Sequence, residues 1–217
     1  MNGELETEAI RLNRRYVMEI VDAFGLCPWA DRARREGHVT EVVFDQTDPD
    51  LFDPSLTRMQ ELARRTTIDV ALFIYPRMGL KRLDFEHFAR RLRALDAARH
   101  EPGAIPFAMA AFHPDAVPVL TDPDRLVPFL RRTPDPTLQL VRETTLSKVR
   151  GEFHGTSYYR PELLQMPPPA PDVRDRIART NHDTVTRLGV ESFEAVFEDI
   201  LRDRDETRAR LEREELG

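Results

Sequence analysis

The sequence predicts an α/β fold, in which a small parallel three-stranded sheet is flanked by helices and followed by additional C-terminal helices. Three short apolar runs, at residues 40–44, 69–75 and 105–112, alternate with segments of helical periodicity. An alternation of strand and helix favours parallel pairing through right-handed crossovers. The runs are continuously apolar rather than alternating, which is typical of strands that are covered on both faces.

Three longer helices are predicted around these strands. Residues 6–24 carry apolar side chains at helical spacing, and Gly25 supplies the stop. A second helix starts at Pro54 and runs to about residue 65, and a third spans 83–98. The second and third repeat a leucine, methionine or phenylalanine every three or four positions, as a helix does when one face packs inward.

Aspartate–proline pairs predict two more helices beyond the third strand. Asp122-Pro123 opens a short helix, and Asp135-Pro136 opens one over about 136–149. Aspartate side chains accept hydrogen bonds from the first free N–H groups of a helix, and proline suits its first turn.

We expect three regions along the chain. Residues 1–150 form the α/β core domain, 151–171 an irregular proline-rich connector, and 172–217 a C-terminal helical extension packed on the core. Stretch 202–217 is charged on all sides, so we expect it to project into solvent.

Composition excludes several classes of protein. The net charge is −6, with 41% hydrophobic and 32% charged residues, which argues against nonspecific nucleic-acid binding. No apolar run approaches the roughly 20 residues of a membrane span, and the acidic, polar start is unlike a secretory signal. One cysteine cannot form an internal disulfide, so the cytoplasm is the expected location.

Polar side chains follow each predicted strand. Because the carboxyl ends of parallel strands share one edge, and ligands bind at that edge in open α/β sheets, these residues should emerge together. They are Asp45, Tyr75, Arg77, His113 and Asp115. Asp45 and Arg77 are therefore candidate substrate-binding residues.

The single cysteine is the first candidate for chemistry. Cys27 precedes Pro28, which suits the start of a short helix through residue 36. As N-cap of that helix, Cys27 would have its thiol pKa lowered by free amides and the helix dipole, and would be a nucleophile. It could equally be a small buried hydrophobe beside Trp29, and the Cys-Pro pair also occurs in haem-thiolate ligation.

His113 ends a buried strand, where its ring can enter the edge cleft as a general base, a general acid or a hydrogen-bond donor to an anion. The alternative is a histidine that bonds a loop carbonyl and caps the sheet. With Asp45 and Asp115 it could also assemble a carboxylate–imidazole metal site, although no metal-binding motif occurs and we predict neither metal nor cofactor.

Arginines near the last predicted helix of the core suggest an anion site. Arg132, beside the unpaired amides at that helix start, could cradle a carboxylate or phosphate. Arg142 is a further substrate-binding candidate. Glu143 could be a catalytic base, or the salt-bridge partner of Arg142 or Arg132.

Three ordered motifs resemble the bacterial family known as domain of unknown function 1415. They are Gly25-Leu26-Cys27-Pro28-Trp29-Ala30, Ala111-Phe112-His113-Pro114, and the stretch from Arg132 to Glu143. The resemblance covers about residues 8–190. It implies that Cys27, His113, Arg132, Arg142 and Glu143 fall on family motif positions, and it carries no activity.

Two positions depart from the family pattern. Asp135 stands where an aromatic residue is usual, and Gln139 where a histidine is usual. The missing histidine weakens any metal scheme that needs two imidazoles.

We therefore expect a cytosolic enzyme that acts on a small anionic metabolite by group transfer or hydrolysis. Arg132 would hold the anion, His113 would move a proton, and Cys27 would be nucleophile or pocket wall. Alternatives are a non-catalytic adaptor that uses its C-terminal helices, and a haem or metal sensor. No nucleic-acid or membrane partner is expected, and the sequence predicts no oligomeric state.

Overall fold

The computed structural model describes residues 2–27, 29–46, 50–101, 103–153 and 173–216. Within them the chain forms an α/β fold, with a sheet of four strands and helices on both of its faces. The α/β class is confirmed, whereas the purely parallel three-stranded sheet is not.

The sheet has the order β1-β2-β4-β3. Its strands are β1 Val39–Val43, β2 Val70–Ile74, β3 Phe107–Phe112 and β4 Thr137–Arg142. The first three lie where the sequence predicts them, and β1 pairs with β2 in parallel. β4 runs antiparallel to both β2 and β3, so the three predicted strands still point in one direction.

The predicted helix over 136–149 is wrong in its first half. Residues 137–142 form β4, and α6 begins only at Glu143. Leu138 and Leu140 are fully buried while Gln139 between them is partly exposed, a period of two that belongs to a strand. Pairing with β2 on one side and β3 on the other overrides the Asp-Pro helix signal.

The helices otherwise follow the predicted order. The first predicted helix is a regular helix that continues as a π-helical turn, Val17–Asp22. The α-helices are α1 Asn2–Tyr16, α2 Ala30–Arg35, α3 Phe52–Ala63, α4 Arg82–Ala97, α5 Pro123–Leu130, α6 Glu143–Phe153, α7 Val173–Leu188 and α8 Val190–Leu216. Pro28, the expected first residue of α2, lies outside the described residues.

Two helix boundaries confirm the local signals. Gly25 adopts φ +63° after the π-helical turn, a left-handed conformation that costs glycine little. The Asp122 carboxylate accepts a hydrogen bond from the Asp124 N–H, at 2.8 Å, and so caps α5.

Two apolar clusters cover opposite faces of the sheet. One packs α3 and α4 against the face that carries Phe73 and Leu138. The other joins α1, the π-helical turn, α5, α7 and α8 with Phe112 at its border. Because side chains alternate along a strand, Phe112 and its neighbour Ala111 reach different clusters.

The end of α8 does not project into solvent as expected. Asp203 lies within 2.6 Å of guanidinium nitrogens of both Arg11 and Arg15 on α1. Leu211 is buried. The charged side chains of α8 therefore form ion pairs across a packed surface, which their sequence does not distinguish from a solvated face.

The predicted connector, 151–171, lies almost entirely outside the described residues, apart from the last turn of α6. No described helix has the length and apolar character that a membrane crossing requires.

Candidate functional site

The carboxyl ends of β1, β2 and β3 lie at one edge of the sheet, where β4 begins. The register aligns Val43 with Ile74, and pairs Thr137 with both Ile74 and Phe112. The segments that follow the three strands therefore emerge beside the segment that precedes β4. This edge holds most of the site residues expected from the sequence.

Asp45 and Arg77 lie at this edge and pair with each other. The Arg77 Nε donates to Asp45 Oδ1 at 2.7 Å, with the two side chains 32% and 17% exposed. Their charges compensate one another, so the pair ties the end of β1 to the end of β2.

His113 is buried at the end of β3, with only 5% of its surface exposed. Its Nε2 lies 2.9 Å from the Leu80 carbonyl oxygen, and its Nδ1 accepts a hydrogen bond from the Asp115 N–H at 3.2 Å. This arrangement fits the tautomer that carries its hydrogen on Nε2. Both ring nitrogens are bound to backbone groups, as the sheet-capping alternative describes.

Two of the three sequence motifs bind each other directly. The backbone N–H of His113 donates to the Arg131 carbonyl at 3.0 Å, and the side-chain Nε of Arg132 donates to the Pro114 carbonyl at 3.0 Å. These bonds join the segment after β3 to the segment before β4. They also fix one side of the Arg132 guanidinium.

The Arg132 guanidinium lies among aromatic rings. Its Cζ is 4.2 Å from the ring centre of Phe197 and 5.3 Å from that of Phe129, both within the range of cation–π attraction. The side chain is 16% exposed, and its Nη1 is 3.9 Å from Glu194 Oε1. Burial lowers the pKa of Arg132, while Glu194, Glu198 and Asp115 act in the opposite direction.

Arg132 lines a narrow, partly open cavity between α1, the π-helical turn, α5 and α8, with room for about one water molecule. Its other walls are aromatic and aliphatic, and they come from Tyr16, Ile20, Phe129, Leu130, Phe193 and Phe197. The buried Tyr16 hydroxyl donates to the Leu130 carbonyl at 2.7 Å. Burial raises the pKa of that phenol.

Cys27 lies beside the start of α2, as expected, where two opposing effects act on the pKa of its thiol. Backbone N–H groups of Trp29 and Ala30 bond the thiol and act to lower its pKa. Burial outweighs them and raises the pKa above its ordinary value. Burial of the sulfur therefore opposes the expected activation by the helix start, and the catalytic role of Cys27 stays a prediction.

Arg142 and Glu143 lie at the opposite edge of the sheet from His113. Arg142 pairs with Phe107 at the start of β3, five residues from Phe112 and thus about 17 Å away. The two residues therefore do not join Arg132 in one site.

The Arg142 guanidinium donates hydrogen bonds to four backbone carbonyls. Its nitrogens donate to the carbonyl oxygens of Leu62, Ala63, Arg65 and Ile68 at 2.8–3.4 Å. These carbonyls belong to the last residues of α3 and the turn after it, so Arg142 caps that helix end. Glu143 begins α6, and its backbone N–H donates a hydrogen bond to the Pro106 carbonyl.

The segment between Arg132 and β4 is held by α8. Arg204 donates to the Pro134 carbonyl at 2.6 Å, and Arg208 pairs with the buried Asp135 carboxylate. Burial raises the pKa of Asp135, while Arg208 and Arg204 lower it. The residue that departs from the family pattern thus has its partner on the C-terminal helix.

A model of one protein family matches residues 8–159, which is most of the chain; its description is a protein of unknown function, DUF1415. The chain belongs to the DUF1415 family. No curated protein and no solved structure matches it. The match spans the three sequence motifs of this DUF1415 member and ends before α7, so Phe193, Glu194 and Phe197 lie beyond it.

Sequence reasoning missed most of the cavity wall. Tyr16 lies four positions before Ile20, and Phe193 four before Phe197, so each pair shares a helix face. That spacing marks them as buried, but only the packing of α1 against α8 shows that the two faces meet at Arg132. Within the described residues, no three His, Cys, Asp or Glu side chains are grouped to hold a metal.

Proposed function

We propose that this protein binds a small anion at the Arg132 guanidinium, on the open side of the cavity. The observation that carries the proposal is a guanidinium that is 16% exposed, packed between aromatic rings and open to a cavity. Its acidic partner among the described residues, Glu194, is 3.9 Å away, too long for a hydrogen bond.

A desolvated cation favours an anionic ligand. Burial disfavours the charged form of Arg132, and a carboxylate or phosphate group at its terminal nitrogens would compensate that cost with charge-assisted bonds. The Nε bond to Pro114 orients the guanidinium without ligand, which lowers the entropy lost on binding.

Group transfer or hydrolysis by Cys27 and His113 stays a prediction of the sequence. To move a proton, His113 would have to give up its hydrogen bond to the Leu80 carbonyl. The raised pKa of Cys27 favours the protonated thiol. We therefore place recognition of the anion, rather than chemistry, at the centre of the proposal. Because the chain has one cysteine, we further propose that it acts in a reducing cytoplasm.

The other two hypotheses also stay predictions. An adaptor role would use the C-terminal helices, but α8 already pairs with Arg11 and Arg15 on α1 through Asp203. A haem or metal role for Cys27 is tested by the absorbance spectrum and metal content of the purified protein.

Thermal shift assays with a panel of small carboxylates and phosphates test the proposed function. We expect at least one to raise the Tm of the wild type and to have no effect on Arg132→Gln. Arg58→Gln is the control, because Arg58 is a half-exposed arginine on α3, on the other face of the sheet. If no panel member stabilises the wild type, or Arg132→Gln responds equally, the proposal fails.

A further inference from the structure

We propose that Glu194 competes with the bound anion for the Arg132 guanidinium, and that it tunes the site toward singly charged carboxylates. This inference rests on the proposed function and names the residue that sets its affinity and charge selectivity. It is carried by the position of the Glu194 carboxylate next to a terminal nitrogen of Arg132.

The Arg132 guanidinium offers an anion only part of its surface. Its Nε is bound to the Pro114 carbonyl at 3.0 Å. The rings of Phe197 and Phe129 lie 4.2 Å and 5.3 Å from its Cζ. An anion would therefore bind at the terminal nitrogens, Nη1 and Nη2, which are the remaining donors.

Glu194 lies beside these nitrogens without a hydrogen bond to them. Its Oε1 is 3.9 Å from Nη1, which is within ion-pair distance but too long for a hydrogen bond. The side chain is 40% exposed and makes no hydrogen bond with other described residues, so it can turn toward Arg132 or away from it. Phe193, the preceding residue, is buried and stacks on Phe24 at 4.0 Å, which holds the backbone of Glu194 at this place.

The other charges near Arg132 do not compete in this way. Glu198 and Asp115 act on its pKa, but both side chains are exposed, so water screens their charges. Among the described residues, neither carboxylate reaches ion-pair distance from the guanidinium. Arg131 adds a second positive charge close to the cavity, since its guanidinium acts to lower the pKa of Tyr16.

A bound anion and the Glu194 carboxylate repel each other, because both lie at the terminal nitrogens of one guanidinium. Coulomb repulsion is proportional to the charge of the ligand, so Glu194 opposes a dianion about twice as strongly as a monoanion. Glu194 therefore lowers the affinity for every anion, and it lowers the affinity for a dianion such as phosphate more than that for a carboxylate.

NMR titration of the Arg132 Nε–Hε signal with acetate and with inorganic phosphate at pH 8 tests this inference in wild type and Glu194→Gln. Glutamine keeps the size of the side chain and removes its charge. We expect acetate to bind about threefold to tenfold more tightly to the variant. Phosphate, which is mostly a dianion at this pH, should gain by a larger factor. Glu206→Gln, the control, removes an exposed charge about three turns further along α8 and should change neither affinity.

The outcomes separate this inference from the proposed function. Equal or weaker binding of both probes to Glu194→Gln, or an equal gain for acetate and phosphate, would overturn the inference and leave the anion site standing. Absence of binding of either probe to either protein would overturn the proposed function together with the inference.

Discussion

Cys27 shows how burial decides the reactivity of a side chain. Two backbone N–H groups bond the thiol and favour the thiolate, but the sulfur is largely shielded from water, and the net effect is a raised pKa. A desolvated thiolate loses its hydration, and two amide bonds from a six-residue helix restore only part of it.

We predict that Cys27 reacts slowly with iodoacetamide at pH 7.5. Since the thiolate is the reactive species, a raised pKa lowers the rate, by at least about tenfold relative to an exposed cysteine. The control is Cys27→Ser/Glu212→Cys, which moves the only thiol to an exposed position of α8. Mass spectrometry across pH gives both rates. A rate for Cys27 that titrates below the ordinary thiol pKa of about 8.5 would contradict burial as the controlling effect.

Arg142 caps the carboxyl-terminal end of α3. Arg142 sits at the end of β4, yet four of its contacts are carbonyls of the last residues of α3 and the turn after it. Its guanidinium also lies 4.8 Å from the ring of Phe107. One side chain therefore joins the helix to the amino-terminal edge of the sheet.

We predict that Arg142→Met lowers the free energy of unfolding by about 1–3 kcal/mol, because it leaves several carbonyls without their charged donor. Urea unfolding measures the change. Arg58→Met, on the exposed face of the same helix, should cost less than about 0.5 kcal/mol, since its pair with Glu61 is exposed. Equal effects of the two substitutions would show that Arg142 does not cap α3.

Asp135 and Arg208 make the contact of α8 with the site pH-dependent. Burial places the pKa of Asp135 in the folded protein above its value in the unfolded chain, so protonation of this carboxyl stabilises the fold. That contribution is present below the unfolded pKa and is lost as pH rises through the folded one. Arg208 opposes the loss by pairing with the carboxylate.

We predict that Arg208→Met raises the pKa of Asp135 further, so that the variant is least stable relative to wild type at neutral pH. The difference in free energy of unfolding should shrink on acidification, as the unpaired carboxyl becomes protonated. Urea unfolding between pH 4 and 8 measures it. Between Asp135→Asn and Asp135→Asn/Arg208→Met, the difference in free energy of unfolding should not depend on pH. A difference between wild type and Arg208→Met that grows with falling pH would contradict the assignment.

The sequence predicted the parts of the structure that local physics controls. The apolar runs that form β1, β2 and β3, the stop at Gly25 and the cap at Asp122 depend on a few neighbouring residues. From the parallel direction of the strands it also follows that Asp45, Arg77 and His113 share one edge.

The remaining features depend on contacts between distant segments. β4 is a strand because two partners flank it, although its Asp-Pro start is equally a helix signal. His113 is tied to Leu80, and the aromatic surroundings of Arg132 come from α5 and α8. The spacing of residues in the sequence does not indicate these contacts.

Across the whole molecule, the candidate site lies where the family-matched segment meets the C-terminal helices. Arg132 and Tyr16 belong to the matched residues, whereas Phe193 and Phe197 come from α8. Arg11 and Arg15 hold α8 against α1 through Asp203, and they keep the pKa of that carboxyl well below its usual range. The cavity therefore depends on the packing of both ends of the chain.

The most direct measurement follows the Arg132 Nε–Hε signal in ¹⁵N-labelled protein by NMR, assigned with Arg132→Gln, during titration with acetate and with inorganic phosphate. We expect a saturable shift of this signal with at least one of them, because the guanidinium binds the anion. A signal that stays in place with both, or drifts linearly as it would with added salt, would contradict an anion site at Arg132.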